Sequence, residues 1–82
     1  DVCSSDLYMK DEGMLPGVAD LILLKSNRFY GALCVEMKKP GEYQRPAQKE
    51  WQKECEAAGN KYVVCRSSDE FMRVVTDYLN DV

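Results

Sequence analysis

The sequence predicts an α/β domain, a mixed sheet flanked by helices, with the order β-β-α-β-α after a partial helical start. Three observations carry this. Two apolar runs, residues 18–24 and 31–38, are separated only by the polar stretch 25–30, as in a hairpin. A helical stretch opens at Pro46 and stops at Gly59, just before another apolar run centred on Tyr62-Val63-Val64-Cys65. Strand, helix and strand in succession make a crossover between parallel strands, so hairpin and crossover together give a mixed sheet.

The elements follow in order. Residues 7–12 read as the end of a short helix stopped at Gly13. Met14-Leu15-Pro16-Gly17 is an extended connection, because proline disfavours helix in the residue before it. The nearly continuous apolar run at 18–24 predicts a strand buried on both faces. Residues 31–38 form the second strand, and Lys39-Pro40-Gly41 breaks it sharply. The helix from Pro46 to about Ala58 carries a stripe of Ala47, Trp51, Cys55 and Ala58. A third strand covers 61–66. Ser67 with Glu70 fits a capping box for a last helix, whose apolar face is Phe71, Val74, Val75, Tyr78 and Leu79. Trp51, Tyr62, Phe71 and Tyr78 are assigned to the core, and Tyr43 to local packing beside the turn. Neither internal repeats nor low-complexity segments occur.

Composition narrows the chemistry. At 82 residues and a formal charge of −3 the chain suits one small domain. It has no apolar run long enough for a membrane span and no apolar signal-peptide core at its start. Histidine is absent, which excludes histidine-based general base catalysis. The four cysteines lack CxxC spacing, so a zinc site or a Cys-His nucleophile is not expected. Cys34, Cys55 and Cys65 fall in apolar patterns and read as buried thiols of a reducing compartment. An acidic chain is a poor general binder of nucleic acid, yet residues 38–53 hold five basic side chains against two acidic ones.

The chemistry-bearing residues lie on the hairpin. Asp20 opens the first apolar strand, and Glu36-Met37-Lys38 closes the second. Side chains two apart on a strand share a face, so Glu36 and Lys38 point the same way and a neighbouring strand can bring Asp20 beside them. Two carboxylates and a lysine on one patch can hold a divalent metal and position a water, the equipment of a metal-dependent nuclease.

The first seven residues, Asp1-Val2-Cys3-Ser4-Ser5-Asp6-Leu7, match a translated sequencing adapter. The common adapter ending GAC-GTG-TGC-TCT-TCC-GAT-CT encodes the same run. Residues 1–7 are therefore expected to be an artefact that carries no biology, Cys3 included.

With these elements placed, the chain resembles the virus-type replication-repair nuclease (VRR-NUC) domain of the PD-(D/E)XK nuclease superfamily, over roughly residues 8–79. Gly17-Val18-Ala19-Asp20 matches the Gly-x-Pro-Asp motif, with Ala19 in place of the proline. Glu36-Met37-Lys38 matches the Glu-x-Lys motif, and Lys39-Pro40-Gly41 the turn that follows it. Gln48, between Pro46-Ala47 and Trp51, matches the motif that opens the core helix. Members usually begin with a helix carrying a further metal-binding glutamate. Nothing here occupies that position, and Glu12 lies too close to the first strand. Residues 8–82 are thus expected to be the nuclease domain without its N-terminal helix.

The resemblance implies a restriction-endonuclease-like fold and hydrolysis of DNA phosphodiesters with Mg²⁺ or Mn²⁺. Asp20, Glu36 and the backbone carbonyl of Met37 would bind the metal. Lys38 would orient the attacking water, and Gln48 would bond a phosphate or a bound water. Lys39, Arg45 and Lys49 are candidate phosphate contacts. The implied substrate is branched DNA, of the Holliday-junction or flap type. The resemblance also implies a homodimer acting away from membranes, in a bacterial cytoplasm or a phage-infected host. The alternative of a different class is a non-catalytic DNA-binding or assembly module built on the same fold.

Overall fold

The computed structural model describes residues 7–9 and 17–81; Asp1–Asp6, six of the seven residues for which an adapter origin is expected, Lys10–Pro16 with Gly13 and Glu12, and Val82 lie outside the described residues. The elements are β1 (Leu7–Met9), β2 (Leu21–Leu23), β3 (Leu33–Met37), α1 (Pro46–Ala57), β4 (Lys61–Cys65) and α2 (Ser68–Asn80). Among the described residues they build a four-stranded sheet in the order β1-β2-β3-β4. β1 and β2 are antiparallel to their successors, with Leu7 opposite Leu23 and Ile22 opposite Cys34. β3 and β4 are parallel, with Cys34 opposite Tyr62 and Met37 opposite Cys65.

The expected α/β order holds from β2 onward, and its start is corrected. Leu7–Met9 is a strand, not the end of a helix. The hairpin leaves the outer edge of β2 with open N–H and C=O groups, and a three-residue segment gains a full ladder by pairing there. A helix of that length would nucleate without recovering its cost.

Alternation along the strands sorts the core into two layers. On one face Ala19, Cys34, Cys55 and Tyr62 cluster, with Ile22, Trp51 and Val64 against them. On the other, Leu33, Val35, Cys65 and Tyr78 cluster, with Phe71, Val74 and Val75 from α2. The sheet is thus sandwiched between α1 and α2, and β3 is buried from Leu33 to Glu36. β2 departs from its expected burial on both faces: Leu21, Ile22 and Leu23 are only half-buried. α2 lies across β3 and β4, so Leu21 and Leu23 line an apolar groove with Phe71, Val75 and Leu79.

The stripe on α1 is also displaced. Ala47 and Ala58 are exposed, and the side chains turned inward are Gln48 and Cys55, with Trp51 half-buried between them. Trp51 packs on Tyr62 with ring centroids 6.0 Å apart. Tyr43, assigned to local packing, is instead 80% exposed. At α2 the Ser67 hydroxyl accepts the Glu70 N–H at 3.1 Å, but the Glu70 carboxylate takes the N–H of Arg66 rather than that of Ser67.

Candidate active site

The site forms where β2 begins and β3 ends. Glu36 is the second-to-last residue of β3 and follows the alternation onto the α1 face. The residue is only 2% exposed, and a carboxylate so placed needs partners. Gln48 Nε2 donates to Glu36 Oε2 at 2.8 Å, a bond strengthened by the acceptor's charge. Lys38 Nζ stands 3.6 Å from the same oxygen, with its side chain 10% exposed. The predicted sharing of a face by Glu36 and Lys38 is therefore seen directly.

Gln48 works at both ends of its amide. Its Oε1 accepts the N–H of Arg45 at 2.8 Å, satisfying one of the donors that a helix start leaves open. One side chain thus caps α1 and fixes Glu36, which explains why a polar residue 5% exposed sits on the inward face of a helix.

Asp20 reaches the same place from the loop before β2. Its Oδ2 accepts the Met37 N–H at 2.8 Å, so it docks on the backbone between Glu36 and Lys38. The loop can approach because of Gly17. That residue adopts φ +86°, and a Cβ there would lie 2.4 Å from the carbonyl oxygen of Ala47 in the first turn of α1. The glycine of the Gly-x-x-Asp motif is thus the point at which the loop presses on the helix.

Tyr62, assigned to the core, also borders the site. Gln44 Nε2 donates to its hydroxyl at 3.3 Å. Burial pushes the phenol up to about 12, opposed by the Gln44 hydrogen bond and reinforced by the negative charges of Glu36 and Asp20. Tyr62 is neutral at any physiological pH, so it adds no charge to the patch.

The turn after β3 is clamped by Arg66, a residue that nothing in the sequence singles out. Arg66 Nη1 donates to the carbonyls of Lys39 and Glu42 at 2.9 and 2.8 Å. Glu42 closes the same turn by accepting the Lys39 N–H at 2.8 Å. That hydrogen bond lowers the Glu42 carboxyl below its usual range, with Lys38, Lys39 and Arg45 adding attraction. Lys39, Arg45 and Lys49 are all exposed: the first in this turn, the second capping α1, the third in its first turns. None of the three makes a side-chain hydrogen bond to Asp20, Glu36 or Gln48 in the way those three bond one another or the strand.

The donor set has a clear character. It comprises two carboxylates and neighbouring backbone oxygen, with no sulfur or imidazole, and suits a hard divalent cation that keeps several waters. Among the described residues no group of three or more His, Cys, Asp or Glu side chains is placed to hold a metal. The protein's share of such a site would be Asp20, Glu36 and the Met37 carbonyl.

A sequence model of the VRR-NUC domain matches residues 2–69. A solved structure described as "VRR_NUC domain protein" superposes with a TM-score of 0.85 at 27% identity, covering 93% of this chain and 69% of that one. No curated protein matches the sequence.

Proposed function

Because this chain belongs to the VRR-NUC family of nuclease-type domains, we propose that it hydrolyses DNA phosphodiesters with Mg²⁺ or Mn²⁺, acting on branched DNA as a homodimer. The observation that carries the reading is the buried Glu36, held by Gln48 and facing Lys38, with Asp20 docked on the intervening backbone. A buried ion pair stabilises a fold poorly compared with apolar residues of the same volume. Its arrangement here is better explained by chemistry at the sheet's end.

Asp20, Glu36 and the Met37 carbonyl would hold the cation. The chemistry such a cation would supply is polarisation of a phosphate and a lowered pKa for a bound water. Lys38 then has two tasks. Its ammonium orients the attacking water by hydrogen bonding, and it offsets negative charge that builds on the phosphate oxygens. Gln48 is a positioning residue: its amide keeps Glu36 from rotating away from the patch. Lys39, Arg45 and Lys49 give sequence-tolerant contacts to the phosphate backbone. Two copies would bring two sites to one junction, which a monomer cannot do.

The test is cleavage of a labelled four-way junction, beside linear duplex, in Mn²⁺. The parent chain cuts the junction, whereas Glu36→Gln and Lys38→Ala lose about a hundredfold or more while still binding it. Equal binding by all three proteins with no cleavage by any would instead establish a binding module.

A further inference from the structure

At the opposite end of the sheet, residues 24–32 connect β2 to β3 and expose aromatic rings. Phe29 is 65% and Tyr30 37% exposed. Their rings meet edge-on with centroids 6.4 Å apart. Each ring carries a cation: the Arg28 guanidinium lies 5.5 Å from the Phe29 centroid, and Lys61 Nζ lies 5.6 Å from that of Tyr30. Lys25 is exposed on the same loop.

This display is held in place by hydrogen bonds. Asn27 Oδ1 accepts the N–H groups of Phe29 and Tyr30 at 2.9 and 2.8 Å. Asn27 Nδ2 donates to the Tyr78 carbonyl at 3.1 Å. The buried Tyr78 hydroxyl donates to the Lys25 carbonyl at 2.7 Å. The Arg28 N–H reaches the Asp81 carbonyl at 2.7 Å, and the Gly31 N–H that of Gly59 at 3.0 Å. The end of α2 and the turn after α1 therefore fix the backbone of a loop that leaves the Phe29 ring largely, and the Tyr30 ring partly, open to water.

Rigid aromatic faces flanked by cations are what unpaired nucleotides recognise: bases stack on the rings and phosphates meet the charges. A duplex hides its base faces and would use only the charges. The strands separate this loop from Glu36 by roughly 15–20 Å, at about 3.3 Å per residue. A nucleic acid held at this loop would therefore be contacted well away from the bond cut beside Lys38.

We propose that Phe29 and Tyr30, with Arg28 and Lys61, form a second DNA contact that stacks unpaired bases of the substrate. This inference rests on DNA being what the chain binds, the part of the proposed function that the nuclease and binding-module readings share. Its test is fluorescence anisotropy with labelled oligothymidine and with a blunt duplex of equal length, in EDTA, using the full chain and the variants Phe29→Ala, Tyr30→Ala and Phe29→Leu. Both rings are exposed, so all three variants should retain the parent's circular dichroism. Each alanine variant should bind oligothymidine about fivefold or more weakly, with duplex affinity changed less than twofold. Phe29→Leu should share the loss, since it keeps apolar area without a π-face. Unchanged oligothymidine affinity, or equal losses on both DNAs, overturns the proposal. So does a dimer that the alanine variants dissociate in sedimentation while single-strand affinity stays constant; the loop would then be a protein interface. Parent protein that cuts nothing in Mn²⁺ yet loses single-strand binding on Phe29→Ala would refute the nuclease reading and leave this contact standing.

Discussion

Replacing Gln48 with alanine removes two hydrogen bonds at once, and their cost can be worked from the structure. The bond to Glu36 is 2.8 Å long, charged at the acceptor and buried, a kind worth about 1.5–3 kcal/mol. The bond from the Arg45 N–H, also 2.8 Å, is a neutral helix-cap bond worth about 0.5–1.5 kcal/mol. Both belong to one side chain, so they do not add strictly, and a loss of about 2–4 kcal/mol is expected. For a small domain that is a large share of its stability, about 0.05–0.15 kcal/mol per residue. Urea unfolding followed by the fluorescence of Trp51, the single tryptophan, measures it directly. With a slope near 1 kcal/mol per molar, the midpoint should fall by roughly 2 M or more. Gln48→Glu supplies the contrast. It keeps an acceptor for the Arg45 N–H but sets a second carboxylate against Glu36, so one of the pair must bind a proton to stay in place. A group whose pKa is raised on folding contributes stability below its unfolded pKa and loses it as pH rises. The Gln48→Glu deficit should therefore be large at pH 7 and shrink as the pH is lowered towards 5. An alanine variant within about 0.5 kcal/mol of the parent, or a glutamate variant insensitive to pH, would refute the view that Gln48 anchors Glu36.

Other expectations follow from the same geometry. Gly17→Ala combines a left-handed backbone with a Cβ placed 2.4 Å from the Ala47 oxygen, and should cost more than about 3 kcal/mol in urea unfolding. Gly59→Ala has φ +93° but open space around the new atom, and should cost only about 1–2 kcal/mol. Burial raises the Cys34 thiol from 9.0 to about 12, helped by the Cys55 sulfur beside it. Burial likewise raises Tyr62 from 10.0 to about 12. Both are protonated in the folded state where the unfolded chain has released its proton, so their stabilisation is complete below about pH 9 and fades towards pH 12. The urea midpoint should be flat from pH 7 to 8.5 and fall above it, and Tyr62→Phe should flatten part of that fall. Arg66→Ala frees the turn after β3 and should raise amide exchange at Glu42, whose N–H bonds the Lys39 carbonyl, by about tenfold with little change in the global midpoint.

The period of two along residues 31–38 placed Glu36 and Lys38 on one face, because strand alternation is fixed by backbone geometry and survives any tertiary context. The hairpin and the α1 crossover were legible for a similar reason: polar stretches and proline or glycine punctuate them. What the residues alone did not disclose is how the site is held. Gln48 is a polar residue on a helix, and a period count prefers Ala47 and Ala58 as the inward positions; the burial of Gln48 makes sense only once Glu36 stands opposite it. The glycine at position 17 was visible as a motif, but its purpose depends on the Ala47 carbonyl, thirty residues away in sequence. Leu7–Met9 misled because three residues are too few to show a period, and the open edge of β2 decided their conformation.

These contacts assign different burdens to the two ends of one sheet. At one end a buried carboxylate, a lysine and an amide are brought together at a cost that apolar packing would avoid. At the other, a loop tied to Tyr78 and Asp81 leaves Phe29 largely and Tyr30 partly exposed. Both lie at the ends of β3, which is buried from Leu33 to Glu36 between them. A substitution that loosens β3 should therefore weaken both together, whereas Gln48→Ala should act on the first and spare the second. Measuring junction cleavage and oligothymidine binding on the Gln48→Ala protein separates the cases. Loss of cleavage with oligothymidine affinity intact means two independent sites on a common frame; parallel loss of both means that Gln48 supports the sheet as a whole rather than Glu36.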